Sequence, residues 1–514
     1  MKFKTLYACA LVATIQSSPS YAIFWSGNGF YSLRAVSQTN PDQDRSAYQA
    51  FEQHLGLNAE ARVNDRSSFF LGLSLDPTQP KSGLLGGDST SNTVDTKAST
   101  SAVSISSAYA RLGTDYCLIE AGRRPRNWGL GILYSASKKP FQSNESVFDG
   151  VTCDVNIQKS QTLGFSVGVD KISESSGSLA NQTSKSEIDQ YFFTIEYDDK
   201  LSEGSAPFTK KIGIYAANLT SPYSELGGQT DIKYLDIYGR FTGFKSLALL
   251  TELVFRNGKS KDPAWISYGS AASSNATVDS IGLASRFEFT LSASGLGADV
   301  NPSIPVSKHL AFFEYVRAPG DKDAYYRGSK RNNIADSYDA ITSENSDNNA
   351  QAMAFNRNFK PLLILFNGRE SGKNDLPGVY ESNRMVNATV TSLGYKFESN
   401  QNGVFELKLA KAKLLETAPS GVSSYWAAIT DANSASEKTE RTARGIDVNS
   451  DQPVGLSSSD LGTELDLTYT LPGEKDFKTT LMASYLKTGA ALDTSRNTSL
   501  KPKMLISAQF ELNF

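Results

Sequence analysis

The chain has 514 residues, of which 39% are hydrophobic and 20% charged, and its formal net charge is −3. A net negative charge argues against nucleic acid as a partner. Beyond the first 22 residues, no stretch approaches the ~18 apolar residues that a transmembrane helix requires, which excludes a helical membrane protein. The length exceeds what one ordinary soluble core accommodates.

The first 22 residues have the pattern of a secretory signal peptide. Lys2 and Lys4 precede an apolar run, residues 6–15, and a small-x-small cleavage site ends at Ala22. A lipoprotein signal at Cys9 is the alternative, but too few residues precede Cys9 for an ordinary apolar region. We expect the mature chain to be residues 23–514, with a net charge two units more negative than that of the precursor.

The C-terminal sequence MLISAQFELNF, residues 504–514, alternates strictly between apolar and polar residues and ends on Phe514. Alternation of this kind predicts a strand with one apolar and one polar face. Soluble domains rarely need their last residue in a strand, whereas a membrane β-barrel must close every edge in lipid. A terminal aromatic residue also resembles the signal read by the barrel-assembly machinery.

Alternating segments recur along the whole chain and predict eighteen strands. They are 28–37, 51–63, 68–76, 102–112, 116–123, 151–158, 162–171, 188–197, 210–219, 230–241, 246–256, 278–291, 308–317, 386–397, 404–414, 461–471, 477–487 and 504–514.

Long and short connections alternate between these strands, as in outer-membrane barrels with short periplasmic turns and long extracellular loops. Two of the turns, 198–209 and 292–307, are longer than this rule predicts, which leaves sixteen strands as a second choice. The segment NFKPLLILF, residues 358–366, is either a strand of its own or a part of a loop folded into the lumen.

Strand alternation also assigns charged residues to the lumen. The inward candidates for pore lining are His54, Glu60, Arg62, Asp236, Arg240, Arg286, Glu288, Glu464 and Asp466. Other inward carboxylates are Glu196, Glu252, Glu406 and Glu511, and other inward cations are Arg256 and Lys408. A lumen with both signs of charge and an excess of carboxylates is expected to be wet.

The sequence GRRPRNWGLGIL, residues 122–133, leaves the top of the fifth strand. It lacks the order of a phosphate-binding loop and does not lead into a helix. Arg123, Arg124 and Arg126 are therefore expected at the channel mouth, where arginines select anions. The alternative is that they pair with inward carboxylates and only brace the wall.

Two cysteines remain after cleavage, Cys117 and Cys153. Both fall on the lipid-facing register, one near the periplasmic start of its strand and the other near the outer start of the next. Their Cα atoms are therefore expected beyond the ~7 Å limit for a disulfide, which predicts free thiols.

Catalysis is not indicated, because the chain has only two histidines, His54 and His309, and neither lies in a hydrolase motif. No cofactor or metal site is predicted.

Four stretches resemble the alginate-export type of outer-membrane porin. They are LGTELDLTYT (461–470), FKTTLMASYLKTGAAL (477–492), AGRRP (121–125) and AFNRNFKPLLILF (354–366). The resemblance implies a monomeric eighteen-stranded barrel, with a trimer left open, and transport rather than catalysis. It also implies an electropositive lumen, whereas the inward positions assigned here are rich in carboxylates.

The sequence therefore predicts an outer-membrane channel of a Gram-negative bacterium for passive diffusion of ions and small hydrophilic solutes. We expect it to be narrowed by an infolded part of residues 318–385 or 124–150. Expected partners are membrane lipid and lipopolysaccharide, the barrel-assembly machinery and the solutes. The alternatives are a plugged barrel that acts as a surface receptor or adhesin, and a conduit for an anionic polysaccharide such as alginate.

Overall fold

The computed structural model describes residues 23–39, 47–75, 103–136, 146–156, 163–173, 188–198, 209–221, 230–243, 246–260, 276–294, 307–320, 349–350, 353, 355–356, 358–366, 380–381, 384–385, 387–415, 459–473, 476–490 and 502–514. The predicted signal peptide, residues 1–22, lies outside these ranges.

Eighteen long strands dominate the described residues. They are β1 Phe24–Thr39, β2 Ala47–Asn64, β3 Ser67–Leu75, β4 Val103–Gly113, β5 Leu118–Pro125, β6 Val147–Asn156, β7 Leu163–Ser173, β8 Ile188–Asp198, β9 Thr209–Ser221, β10 Thr230–Gly243, β11 Leu247–Ser260, β12 Ala276–Ser294, β13 Ser307–Ala318, β14 Ala388–Ser399, β15 Gly403–Leu414, β16 Asp460–Thr470, β17 Phe477–Thr488 and β18 Lys503–Asn513.

Each long strand pairs antiparallel with the next, and β18 also pairs with β1, from Phe30 opposite Asn513 to Thr39 opposite Met504. The chain folds as a closed antiparallel β-barrel of eighteen strands. Closure satisfies the backbone hydrogen bonds of every strand within the sheet, which a lipid environment demands. The predicted fold class and the count of eighteen are confirmed, and each predicted strand overlaps one observed strand.

The connection between β13 and β14 contains three two-residue strands. Asn349–Ala350 runs parallel to the start of β12, and Tyr380–Glu381 pairs with Arg384–Met385. Among the described residues, no helix is both long and apolar enough to cross a membrane.

The two ends of the barrel differ in the length of their connections. Asp65 and Arg66 alone join β2 to β3, whereas residues 319–387 join β13 to β14. The start of β1 and the end of β18 lie at the short-turn end, because each strand reverses the direction of its neighbour. The opposite end is called the long-loop end below.

Residues alternate between the outer surface and the lumen along each strand. In β15, Leu407 and Leu409 are exposed on the outer surface, whereas Ala410 and Ala412 are buried on the lumenal side. Exposed leucines on the outside of a closed barrel match the apolar band that faces lipid. The inward assignments made from alternation have the correct parity in this strand.

The two cysteines form a disulfide, so the prediction of free thiols is wrong. Cys117 and Cys153 have Cα atoms 5.6 Å apart. Strand β6 begins at Val147, four residues before the predicted start, which moves Cys153 toward the short-turn end, where it lies opposite Ile119 of β5. Cys117 directly precedes β5, so the two side chains meet diagonally on one surface of neighbouring strands.

The C-terminal residue completes the seam between β18 and β1. The Phe514 N–H donates to the Gly29 carbonyl at 2.9 Å, and the Gly29 N–H donates to the Phe514 carbonyl at 2.7 Å. The Phe514 ring covers Gly29 so closely that a Cβ atom there would lie 2.7 Å from the ring. A side chain on residue 29 would therefore displace the terminal ring.

Candidate functional site

A first infolded segment, residues 126–136, follows β5 and crosses the lumen. At Gly122 the φ angle is +122°, and an added Cβ would lie 2.4 Å from the Ala108 carbonyl, so the strand twists there in a way that favours glycine. Beyond β5, the Trp128 N–H donates to the Tyr134 carbonyl at 3.0 Å and closes a tight loop.

A buried carboxylate of β11, a strand that is not a neighbour of β5, holds this loop in place. The Glu252 carboxylate of β11 accepts hydrogen bonds from the backbone N–H of Leu130 and, at 3.4 Å, from that of Ile132. Glu252 and Asp236 of β10 are both 0% exposed. Gly129 has φ +55°, and a Cβ there would lie 2.6 Å from the Glu252 side chain, so the backbone packs directly on the carboxylate.

One carboxylate of β7 holds both Arg124, near the end of β5, and Arg126, at the start of the first segment. Arg124 pairs with Asp170 at 2.9 Å, and Arg126 pairs with the other oxygen of Asp170. Arg126 also donates to the Tyr215 hydroxyl at 2.9 Å and lies 3.8 Å from the centre of the Phe192 ring. Both guanidinium groups are buried, so they brace the wall and do not face open water.

Arg123 lies on the other surface of β5. It is paired across the sheet with Ala108 and Asp149, and its side chain forms an ion pair with Asp149 at 3.2 Å. Alternate residues of β5 share a surface, so Arg123 faces the lipid side together with Ala121, whereas Arg124 faces the lumen. Of the three predicted arginines, only Arg124 and Arg126 face inward.

A second infolded segment, residues 358–366, lies against β16. Its backbone N–H groups at Ile364 and Leu365 donate to the two oxygens of Glu464 at 2.6 and 2.8 Å. The N–H of Leu363 donates to Asp466 at 3.3 Å. This segment is therefore folded into the lumen and forms no strand. Of the two alternatives predicted for residues 358–366, the infolded loop is the one observed.

Positively charged side chains of the wall also hold the second segment in place. Lys408 of β15 donates to the Pro361 carbonyl at 3.1 Å and forms an ion pair with Glu314 of β13 at 2.7 Å. Arg286 of β12 pairs with Glu314 at 3.1 Å and with Glu288 at 2.8 Å. The two cations and two carboxylates of this network largely neutralise each other's charge.

The two infolded segments contact each other across the lumen. The Asn358 side chain of the second segment donates to the Ser135 carbonyl at 2.6 Å. Asn356, two residues before the second segment, donates its N–H to the Ile132 carbonyl at 2.8 Å. Buried apolar residues from both segments pack with the wall in one cluster that includes Ile132, Val254, Ala284, Val316, Phe355, Leu362, Leu365, Phe366, Ala410 and Leu461. Trp128 and Tyr134 of the first segment pack with Phe148, Phe192, Tyr215 and Tyr238 in a second buried cluster. The two segments together therefore cover the wall from β6 to β17.

The wall at β2 to β5 carries more exposed charge. Glu60 and Arg62 form an ion pair at 3.3 Å, and Arg111 pairs with Glu120 at 2.7 Å. Glu60, Arg62 and Arg111 line a polar pocket near the short-turn end, together with Asn64. The two ion pairs contribute equal numbers of both charge signs.

The remaining candidates are placed as follows. His54 is buried and hydrogen-bonded to Ser74 at 2.8 Å, and Arg240 is exposed near the short-turn end of β10. Asp236, Glu464 and Asp466 are buried beneath the infolded segments. Alternation gave these three the correct inward parity but could not show what covers them.

Sequence reasoning missed Asp170, the partner of both buried arginines. Its parity in β7 is inward, like that of Gly164, Ser166 and Gly168, so alternation alone could have found its direction. Its partners could not be found in that way, because β6 lies between β5 and β7 and the pairing depends on the relative register of three strands.

Comparisons with known proteins find solved structures to which this chain is similar. No protein-family model matches the chain, and no curated protein matches it. OpdK of Pseudomonas aeruginosa is 10% identical, with 95% of this chain and 99% of that chain covered and a TM-score of 0.42. OccAB3 of Acinetobacter baumannii is 11% identical, with 95% and 100% covered and a TM-score of 0.43. OccD3 (OpdP) of Pseudomonas aeruginosa is 12% identical, with 98% and 97% covered and a TM-score of 0.42. Identities and scores this low transfer no solute and no site residue to this chain.

Proposed function

We propose that the protein is an outer-membrane channel that lets small hydrophilic solutes diffuse through a constricted lumen. The observation that carries this proposal is a closed eighteen-stranded barrel whose lumen is narrowed by two segments fastened to buried wall carboxylates. A barrel with an apolar outer band belongs in a membrane, and long connections at one end are typical of outer-membrane proteins. Export through the signal peptide of residues 1–22 belongs to the same proposal.

The constriction sets the size of the solutes, and the exposed charges set their preference by charge. Four inward carboxylates, Asp236, Glu252, Glu464 and Asp466, are covered and cannot attract cations from water. The exposed charges near β2 to β5 balance each other as Glu60 with Arg62 and Arg111 with Glu120. We therefore propose weak ion selectivity rather than the cation preference that a count of inward carboxylates would give.

The test is liposome swelling with the refolded barrel and neutral sugars of graded size. Monosaccharides should enter measurably faster than trisaccharides, because two infolded segments occupy part of the lumen. Barrels that are folded by heat-modifiability on gels but admit no sugar would contradict the proposal.

A plugged barrel is the second candidate function, and the packed apolar cluster between the segments and the wall favours it. In that case the long loops would contact a partner and the barrel would conduct little. The absence of swelling and of ion conductance would support this candidate.

The resemblance to alginate exporters suggests a conduit for an anionic polysaccharide. Such a conduit needs arginines that are free to meet carboxylates, whereas Arg124 and Arg126 are buried against Asp170. Oligomers of a uronic acid should therefore permeate no faster than neutral oligosaccharides of the same length.

A further inference from the structure

The outer surface of β13 to β17 changes from apolar to basic toward the long-loop end. One transverse row across these strands is apolar and aromatic: Phe313, Leu393, Leu409, Leu465 and Tyr485. The next row toward the loops is Tyr315, Thr391, Lys411, Thr463 and Lys487. The row after that is Arg317, Thr389, Lys413 and Asp460. We call the second and third of these the basic rows.

The lysines of the basic rows point away from the lumen. Lys411 and Lys413 alternate with Ala410 and Ala412, which are buried at 2% and 0% exposure, and they share the surface of the exposed Leu409. Lys487 alternates in the same way with the buried Leu486. Arg317 alternates with Val316 and Ala318, which are both buried on the lumenal side.

The basic rows carry an uncompensated positive charge. They hold four cations and one carboxylate, Asp460, which pairs with Lys411 at 2.6 Å. Within the described part of the chain, Lys413 and Lys487 have no carboxylate at ion-pair distance, and Arg317 makes only a hydrogen bond of 3.4 Å to a backbone carbonyl.

Other sectors of the same rim are neutral. On the outer surface of β5 to β8, the charges at this end are Arg123, Asp149, Lys171 and Asp189, which lie in register across the four strands. On β10 to β12 they are Asp231, Lys233, Lys259 and Asp279. Each of these sectors has two cations and two carboxylates, so the excess on β13 to β17 is local to that sector.

We propose that the basic rows bind the phosphate groups of glycolipid headgroups in the outer leaflet, an inference that rests on the proposed outer-membrane location. The rows begin one step, about 7 Å, beyond the apolar row, which is where headgroups stand next to a membrane barrel. They span four strand spacings, about 19 Å, which is wide enough for several phosphates.

The side chains of the rows suit phosphate. Lysine and arginine donate charge-assisted hydrogen bonds to phosphate oxygens, and threonine hydroxyls donate further bonds between them. The lysine stems lie along apolar surface while their ammonium groups reach the headgroup level. Phosphate is preferred over a neutral sugar headgroup, because only an anion is attracted by the net positive charge of the rows.

The experiment titrates the refolded full barrel, in a maltoside detergent, with diphosphoryl lipid A and with its dephosphorylated form. The test variant is the double substitution Lys413→Gln with Lys487→Gln. The matched control is Lys233→Gln with Lys259→Gln, which removes two outward lysines from a neutral sector of the same rim. Heat-modifiability on gels checks that each variant is folded.

The test variant should bind diphosphoryl lipid A about 30-fold more weakly, because each basic residue near a lipid surface contributes about fivefold to affinity. The control variant should stay within about threefold of wild type, and the dephosphorylated lipid should bind wild type weakly. Equal losses in both variants, or binding that ignores the phosphates, would overturn the proposal. A third result would also overturn the proposal: the wild type self-associates, the test variant does not, and the phosphates of the lipid make no difference. The basic rows would then contact a second copy of the chain.

Conductance of the same preparations separates this inference from the proposed function. Both pairs of lysines lie outside the lumen, so neither variant should change the conductance. Wild-type barrels that conduct but bind diphosphoryl lipid A no better than its dephosphorylated form refute only the lipid site, whereas wild-type barrels that bind the lipid but do not conduct refute only the channel.

Discussion

Glu464→Gln should loosen the second infolded segment. Glu464 accepts the N–H groups of Ile364 and Leu365 at 2.6 and 2.8 Å, and the Ser484 hydroxyl donates to it at 3.1 Å. An amide offers one oxygen for the two N–H groups, and a buried N–H group left without an acceptor costs about 1–3 kcal/mol. Leaving one of the two buried N–H groups without an acceptor should cost about 3 kcal/mol.

A cost of about 3 kcal/mol raises the ratio of displaced to docked segment by roughly 100-fold. The assay is single-channel recording, in which a displaced segment appears as brief steps of larger conductance. These steps should be far more frequent in Glu464→Gln than in wild type, while the number of folded barrels stays similar.

The matched control is Glu406→Gln. Glu406 faces the lumen from β15, and in the described residues no N–H of an infolded segment donates to it. Its substitution should leave the frequency of large steps unchanged. If Glu464→Gln gives traces identical to those of wild type and of this control, the carboxylate does not hold the segment and the reasoning is refuted.

Three further predictions concern the wall. Deleting Phe514 removes two backbone hydrogen bonds at the seam between β18 and β1. The folded fraction in cell membranes, measured by heat-modifiability, should fall several-fold. The free energy of unfolding should fall by only about 2 kcal/mol. Replacing Cys117 and Cys153 by serine should lower the free energy of unfolding in urea by about 3 kcal/mol, and unfolded wild type should migrate differently on reducing and non-reducing gels. Asp170→Asn leaves Arg126 buried without its charge partner and should destabilise the barrel by about 3–5 kcal/mol in the same urea titration.

Two of these predictions have a control variant. Phe510→Ala removes an outward aromatic residue from the same strand but keeps the seam, so assembly should stay near normal. Asp149→Asn breaks a more exposed ion pair with Arg123 and should cost less than about 1 kcal/mol. Identical gel mobility of wild type with and without reductant would contradict the disulfide, and equal costs for Asp149→Asn and Asp170→Asn would contradict the burial argument.

The strands could be predicted because the geometry of a closed barrel determines the pattern of neighbouring residues in the sequence. The outward residue of each pair faces lipid, so the contrast between Leu409 and Ala410 repeats with a period of two along most strands. The count of eighteen followed from this period and from the alternation of long and short connections. These signals involve neighbours in the sequence and need no knowledge of distant contacts.

The constriction could be predicted only as a possibility, because its contacts join distant parts of the chain. Glu464 holds residues about a hundred positions away, and Glu252 holds Leu130, from which it is separated by 122 positions in the sequence. Nothing in the alternation of β16 distinguishes a carboxylate in water from one under a folded segment. A count of inward carboxylates from the sequence therefore overstates the negative charge that faces water, because several of them are buried.

The disulfide was missed because strand ends are the weakest part of a pattern-based prediction. Alternation gave Cys117 and Cys153 the same outward parity, which the bridge requires. An error of four residues in the start of β6 was enough to separate them along the barrel axis by far more than a disulfide spans.

The most direct test of the central claim is the single-channel conductance of the refolded wild-type barrel in a planar bilayer, with a salt gradient to give the reversal potential. A lumen narrowed by two docked segments and lined by balanced exposed charges predicts small, steady steps and a reversal potential near zero. Correctly folded barrels that give no steps would contradict the channel and favour the plugged barrel. A strong cation preference would contradict the burial of the lumenal carboxylates.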